Sequence, residues 1–308
     1  MNKRKIIRHK RLPSKEERLK LFGSVVPGPK SKPIEKDKMA DVQNTKKDFL
    51  FAIDAVGISN VKHPIIINSH LQPKSQTSIG VFRFTSGINQ MNKGTNMSRF
   101  TEQLHQYYQN GFVADFASLK QFAKELAHRL QQDDATVELT FPWFFERSGP
   151  NSGLSGLNHA DVSMSVKFSQ QTGFSLEASL TAQITTLCPC SKDISEYSAH
   201  NQRGNVSMDI ALADSFDEEE IDWKVELLEA AESNASARLH PVLKRPDEKA
   251  VTEQAYENPR FVEDIVRLVA ADLYEMPFVQ QFNVSCRNEE SIHMHDAIAS
   301  LSYDKTEE

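Results

Sequence analysis

Cysteine is scarce in this chain: three in 308 residues, two of them a single residue apart. So few thiols cannot build a disulfide framework; they suit a reducing compartment, with metal or thiolate chemistry as the use of the close pair. Long apolar runs are also missing, and nothing approaches the roughly 18 residues of a membrane span. The basic N-terminus is followed by no apolar segment or small-residue cleavage site, so no signal peptide is expected. A cytoplasmic protein without a membrane partner is the expectation. Evenly spread charge is lacking too. Residues 1–38 carry 13 Lys and Arg against 4 Asp and Glu, a balance of +9, while the other 270 residues carry 23 against 38, or −15. The acidic body argues against nucleic acid as the main partner. The basic arm reads as a disordered extension, or as the product of an upstream start with Met39 as the true first residue; a nucleic-acid or membrane-surface tail is the alternative.

What is present is ordinary globular material, 39% hydrophobic and 25% charged, long enough for two modules with cores of their own. Pro27, Pro29 and Pro33 mark residues 24–38 as a linker. Strand-like runs follow at Val61–Ser69 and Thr77–Gly87. Helices are expected at Ser98–Gln109, with Ser98 as N-cap, and at Asp115–Gln131. In the second, Phe116, Leu119, Phe122, Ala123, Leu126 and Leu130 form an apolar stripe. Strands at Thr136–Glu146 and Ala160–Ser169 complete the unit. The order then repeats: strands Phe174–Leu187 and Asn205–Ala213, helices Asp217–Ser233 and Arg260–Glu275, strands Phe278–Arg287 and His295–Tyr303. An α+β architecture of two ββααββ modules is expected, residues 39–172 and 173–308, each an antiparallel sheet with helices on one face.

Two short segments gather the chemistry. Thr185–Gly204 holds Cys188 and Cys190 around Pro189, with His200 twelve positions after Cys188. Proline fixes φ, so that turn is stiff. The second segment runs from Cys286 to His295 and contains Glu289, Glu290, His293 and His295. Two histidines two apart share one face of an extended chain. Thiolate, imidazole and carboxylate with a position left for water make the donor set of a catalytic zinc; two buried thiols at a strand end are the plainer alternative. The runs Asp217–Glu220 and Asp247–Lys249 read as helix starts, and Glu263 as a solvated acid. Phe141–Phe145 reads as core or subunit interface.

The stretches LCPCSKDISEYSAHNQRG and FNVSCRNEESIHMHDA, with DVQNTKKDFLFAIDAVGISNVKHPI at residues 41–65, closely resemble the bacterial GTP cyclohydrolase type IB family. The likeness runs from Met39 to Tyr303 and leaves out the basic arm. It implies a tandem tunnelling fold and a homotetramer with active sites where subunits meet. It also implies a divalent metal (zinc, manganese or iron) held by Cys188, His200, Glu248 and His293, with Cys190 close by. Glu263 would grip the guanine N–H edge, and Glu290 would face the pocket. Asn96 stands where a histidine is expected in most relatives.

The implied reaction turns GTP into 7,8-dihydroneopterin 3'-triphosphate and formate, the first step of folate and pterin biosynthesis. Water must attack guanine C8, and a divalent cation lowers its pKa from about 15.7 toward about 7. Glu290 and His295 are the candidate proton carriers, with Cys188 at the centre of the catalytic set. Lys192, Arg203 and Arg287 are candidates for the triphosphate. A tunnelling-fold enzyme with Cys188 as covalent nucleophile on a purine-like substrate is the competing reading. A structural zinc protein whose arm binds nucleic acid is a third.

Overall fold

The computed structural model describes residues 12–22 and 28–307. Two compact units divide after Val42. In the first, Lys15–Leu21 form helix α1. The Ser14 hydroxyl accepts from the Glu17 N–H at 3.3 Å and the Glu17 carboxylate accepts from the Ser14 N–H at 2.8 Å, a reciprocal cap that starts the helix. Among its described residues, the extension expected to be disordered thus contains α1 and a 3-10 turn at Lys36–Lys38; its residues 1–11 and 23–27 lie outside the described ones.

The second unit holds β1 (Ile53–Asn68), β2 (Ser75–Ile88), α2 (Ser98–Gln109), α3 (Phe116–Leu130), β3 (Asp134–Ser148) and β4 (Ser155–Ser169). There follow β5 (Gly173–Leu187), α4 (Pro189–Ile194), β6 (Asn201–Leu212), α5 (Trp223–Ser233), α6 (Arg245–Glu257), α7 (Val262–Glu275), β7 (Val279–Asn288) and β8 (Ala297–Asp304). All eight strands pair antiparallel in sequence order in one sheet. The α+β class and the strand-strand-helix-helix-strand-strand order are as expected, with α4 and α6 added in the second half.

Alternation explains the layering. In β3 the residues Ala135, Val137, Leu139, Phe141, Trp143 and Phe145 are buried while their neighbours are less so. Register carries that face across the sheet: Leu139 lies opposite Met164, Met164 opposite Ala178, Leu180 opposite Met208 and Met208 opposite Val284. Side chains of period two thus bury one face of the sheet, and the helices cover it. Each expected stripe residue of α3 is buried. The Asp115 carboxylate accepts from the Ser118 N–H at 2.6 Å to start that helix, and Gln131 in the left-handed region (φ 58) ends it. Gly57 needs to be glycine, since a Cβ there would stand 1.8 Å from the Phe84 carbonyl oxygen.

Several local expectations are corrected. Met97, not Ser98, is the N-cap of α2, and no side chain caps that helix. Residues Asp217–Glu220 do not open a helix; α5 starts at Trp223, behind the N-cap Asp222. The reason is that Glu218 is used elsewhere, its carboxylate accepting from the Phe116 N–H at 2.6 Å at the start of α3. The closing strand begins at Ala297, so His293 and His295 lie in the bend before it rather than on a strand.

A buried clamp ties β1 to the start of α5. Asp222 accepts from the Ser69 hydroxyl at 2.8 Å and the His70 N–H at 2.7 Å, and pairs with the Lys224 ammonium at 2.8 Å. Burial would raise the Asp222 pKa, but the Lys224 charge and these hydrogen bonds outweigh it and hold it below the usual carboxylate range.

Candidate active site

The site is built where β5 ends. The Leu187 N–H donates to the Ser236 hydroxyl at 3.0 Å, and the Leu187 carbonyl accepts from the Arg260 N–H at 3.0 Å. Cys188 follows as the N-cap of α4 in an extended conformation, with Pro189 in the first turn. Ser191 then closes the turn upon His200: its hydroxyl donates to the Cys188 carbonyl at 3.2 Å and accepts from the His200 N–H at 3.2 Å. The Cys188 N–H donates to the His200 carbonyl at 3.1 Å, so twelve positions of sequence become one closed loop. Cys188 is half-buried, Cys190 is exposed, and the Cys188 sulfur accepts from the Ser191 N–H at 3.5 Å.

The His200 ring is held from behind. Its Nδ1 lies 2.9 Å from the Gln202 side-chain oxygen, while the Gln202 amide nitrogen donates to the buried Thr186 hydroxyl at 3.0 Å. The Glu290 carboxylate stands 3.9 Å from the same Nδ1, and both side chains are 14% exposed. Glu290 reaches this place because β7 pairs with β6, Asn288 opposite Gly204, and the Glu289 N–H donates to the Arg203 carbonyl at 2.8 Å. Gly204 leaves the space that Asn288 fills; a Cβ there would lie 2.6 Å from the Asn288 side-chain oxygen.

A cavity of about 350 Å³ opens beside these groups, with Cys188, Gln202, Arg260, Glu263, Asn288 and Glu290 around it. Cys188, Glu263 and Glu290, named from the sequence, therefore share one cavity, and His200 lies against two of its lining residues, Gln202 and Glu290. Gln202, Arg260 and Asn288 were not singled out. For Gln202 a signal existed: it sits two residues beyond His200 at the start of β6, hence on the same face.

The remaining sequence-named residues lie apart from this cavity. Glu248 is exposed in the first turn of α6. His293 and His295 are exposed and stack on each other, ring centroids 4.8 Å apart. Lys192 lies over the Tyr256 ring at 4.5 Å. Arg203 donates to the Gln183 side-chain oxygen at 3.3 Å. Arg287 is paired with Asp296 at 2.7 Å and Glu289 at 3.4 Å. Asn96 borders a different, small cavity with Arg99 and Gln131. Among the described residues of this single chain, no three His, Cys, Asp or Glu side chains gather closely enough to hold an ion. Cys286 is buried on the core side of β7, where burial pushes its thiol up to about 12.

Comparisons with known proteins bear on what this arrangement serves. The family described as type I GTP cyclohydrolase FolE2 matches residues 39–299. A GTP cyclohydrolase FolE2 of Oceanobacillus iheyensis is 69% identical over 299 residues, spanning 97% of this chain and 99% of its own. Another, from Halalkalibacterium halodurans, is 60% identical over 96% of this chain and 99% of its own. That of Bacillus subtilis strain 168 is 56% identical over 96% and 97%. Among solved structures, a uricase from Arthrobacter globiformis is 8% identical with a TM-score of 0.49, over 82% of this chain and 93% of that one. With its match spanning the whole second unit up to β8, the chain belongs to the type I GTP cyclohydrolase FolE2 family.

Proposed function

We propose that this protein is a GTP cyclohydrolase: it opens the guanine ring of GTP at C8 with water, releases formate and yields 7,8-dihydroneopterin 3'-triphosphate, the first step of folate biosynthesis. The observation that carries the reading is the meeting of Cys188, Glu263 and Glu290 in one cavity, with His200 tied to Cys188 through Ser191, in a chain of this family. In this reading the Glu263 carboxylate accepts from the N1–H and 2-amino group of guanine and sets C8 at the other end of the ring. Glu290 and His295 carry protons to and from the opened ring nitrogens. Lys192 and Arg203 take the triphosphate, Arg203 lying one residue beyond Gln202 on β6.

A divalent cation fits the donor chemistry of the turn. A thiol and an imidazole lie on one hydrogen-bonded loop, and the Gln202 oxygen engages Nδ1, leaving Nε2 available. Cys188, His200, Glu248 and His293 are the ligands of this proposal, and zinc, manganese and iron all accept such a set. When bound, the cation would make water nucleophilic at neutral pH. The exposure of Glu248 and His293 in the single chain accords with a homotetramer in which assembly helps to form the site.

The test uses protein stripped with chelator and reloaded separately with zinc and with manganese. Formate release and pterin fluorescence after oxidation are followed with GTP. Metal-dependent formate together with a pterin is expected; no formate with either metal, from folded protein, overturns the reading in favour of a thiol nucleophile.

A further inference from the structure

Gln202 has no assigned task, yet both ends of its amide are hydrogen-bonded beside the cavity. It is 8% exposed, and Thr186 beneath it is fully buried. Its amide nitrogen donates to the Thr186 hydroxyl at 3.0 Å, and its side-chain oxygen faces His200 Nδ1 at 2.9 Å. The Glu290 carboxylate faces the same Nδ1 at 3.9 Å. Two oxygens, one an amide carbonyl and one a carboxylate, look at one ring nitrogen. An N–H there is stabilised by both, whereas a lone pair there is repelled by both. Nδ1 therefore carries the proton, and in the neutral ring the lone pair is on Nε2. Only the Gln202 oxygen is within hydrogen-bonding reach, so it sets the ring plane, and Glu290 stays available for other work.

We infer that Gln202 is a positioning residue for His200: through Nδ1 it fixes the tautomer and ring orientation that present Nε2 as a metal donor. This rests on the proposal that His200 is a ligand. The role needs an acceptor at position 202 rather than an amide as such, which separates it from simple packing. Glu at 202 keeps the acceptor, while Leu keeps the bulk and removes it.

The experiment measures zinc affinity of the stripped full-length protein by competition with a chromogenic chelator, in the wild type and in Gln202→Leu, Gln202→Glu and His200→Ala. Circular dichroism and Tm confirm that each variant is folded. Orienting partners of metal-bound histidines are worth about 10- to 100-fold in affinity, so Gln202→Leu should lose about that much and Gln202→Glu should stay within about 3-fold of wild type. Nitrogen NMR of the metal-free imidazole should report a protonated Nδ1 in the wild type and in Gln202→Glu, and a mixture of tautomers in Gln202→Leu. Equal losses in the Leu and Glu variants, or wild-type affinity in Gln202→Leu alongside a loss in His200→Ala, overturn the positioning role alone. Undiminished binding in His200→Ala overturns the ligand assignment, and this inference with it.

Discussion

The three cysteines show how environment divides identical side chains. Cys286 faces the core, and burial holds its thiol up at about 12; Cys190 is exposed in the first turn of α4; Cys188 is half-buried at the cavity. The thiolate is the reactive form. Iodoacetamide at mildly alkaline pH should therefore label Cys190 in the native protein and spare Cys286 until the chain is denatured, which mass spectrometry resolves. Glu263 gives a second prediction. Charge-assisted hydrogen bonds contribute about 1.5–3 kcal/mol, so Glu263→Ala should lower kcat/KM for GTP by roughly 10- to 100-fold. At this scale the sequence singled out Cys188, His200 and Glu290 because thiol, imidazole and carboxylate are rare enough together to stand out, while Glu263 came from the family resemblance and the other named residues lie apart from the cavity. Gln202, Arg260 and Asn288 were not singled out, since amides and arginines abound and only the folded register reveals which of them face a cavity.

Elements were legible where periodicity was strong and obscure where side chains act at a distance. The stripe of α3 was read residue for residue, because a helix that must cover a sheet announces itself every three or four positions. The run at 217–220 misled because acids favour a helix start in general, whereas here Glu218 serves a helix more than a hundred residues earlier. Alternation likewise carried the last strand too far back, to His295, since period two cannot mark where pairing stops. The clamp at Asp222 was invisible to local reading, and it makes a prediction. Removing one partner of a buried pair strands the other, so Lys224→Met should cost about 3–5 kcal/mol at neutral pH, measured by denaturant titration. The sign with pH follows from the carboxylates. Asp222, with its pKa lowered in the fold, gives stability that is present above its unfolded pKa and is lost as pH falls. Without Lys224 burial dominates, the Asp222 pKa rises, and the gap between variant and wild type should narrow as pH drops below about 5. Glu218 runs the opposite way: burial raises its pKa, so its ionisation costs stability as pH rises through that range. Glu218→Gln keeps an acceptor for Phe116 and should remove that part of the slope.

At the scale of the whole molecule, the family model begins at residue 39 and the second unit at residue 43, although the Oceanobacillus iheyensis relative aligns over 97% of this chain and so shares most of the basic stretch. Protein lacking residues 1–38 should release formate at a rate within about 2-fold of the full chain, by the same assay; a loss beyond about 10-fold would tie the basic stretch to catalysis. The contrast between a +9 arm and an acidic body was legible from composition alone, but the single eight-stranded sheet was not, because pattern repeats locally and pairing is decided across it. One consequence of that sheet concerns time rather than geometry. The cavity takes walls from the end of β5, the start of α7 and the β7–β8 connection, and the last of its lining residues in sequence, Ala297 and Ile298, open β8. A ribosome adding about 5–20 residues per second will have made Cys188 several seconds before it makes Glu290. A chain cut short anywhere before β7 keeps β5 beside β6 but lacks the strand on the other edge of β6, and with it Asn288 and Glu290 of the cavity wall. The walls of this cavity are therefore complete only once β7 and the start of β8 have been made and paired.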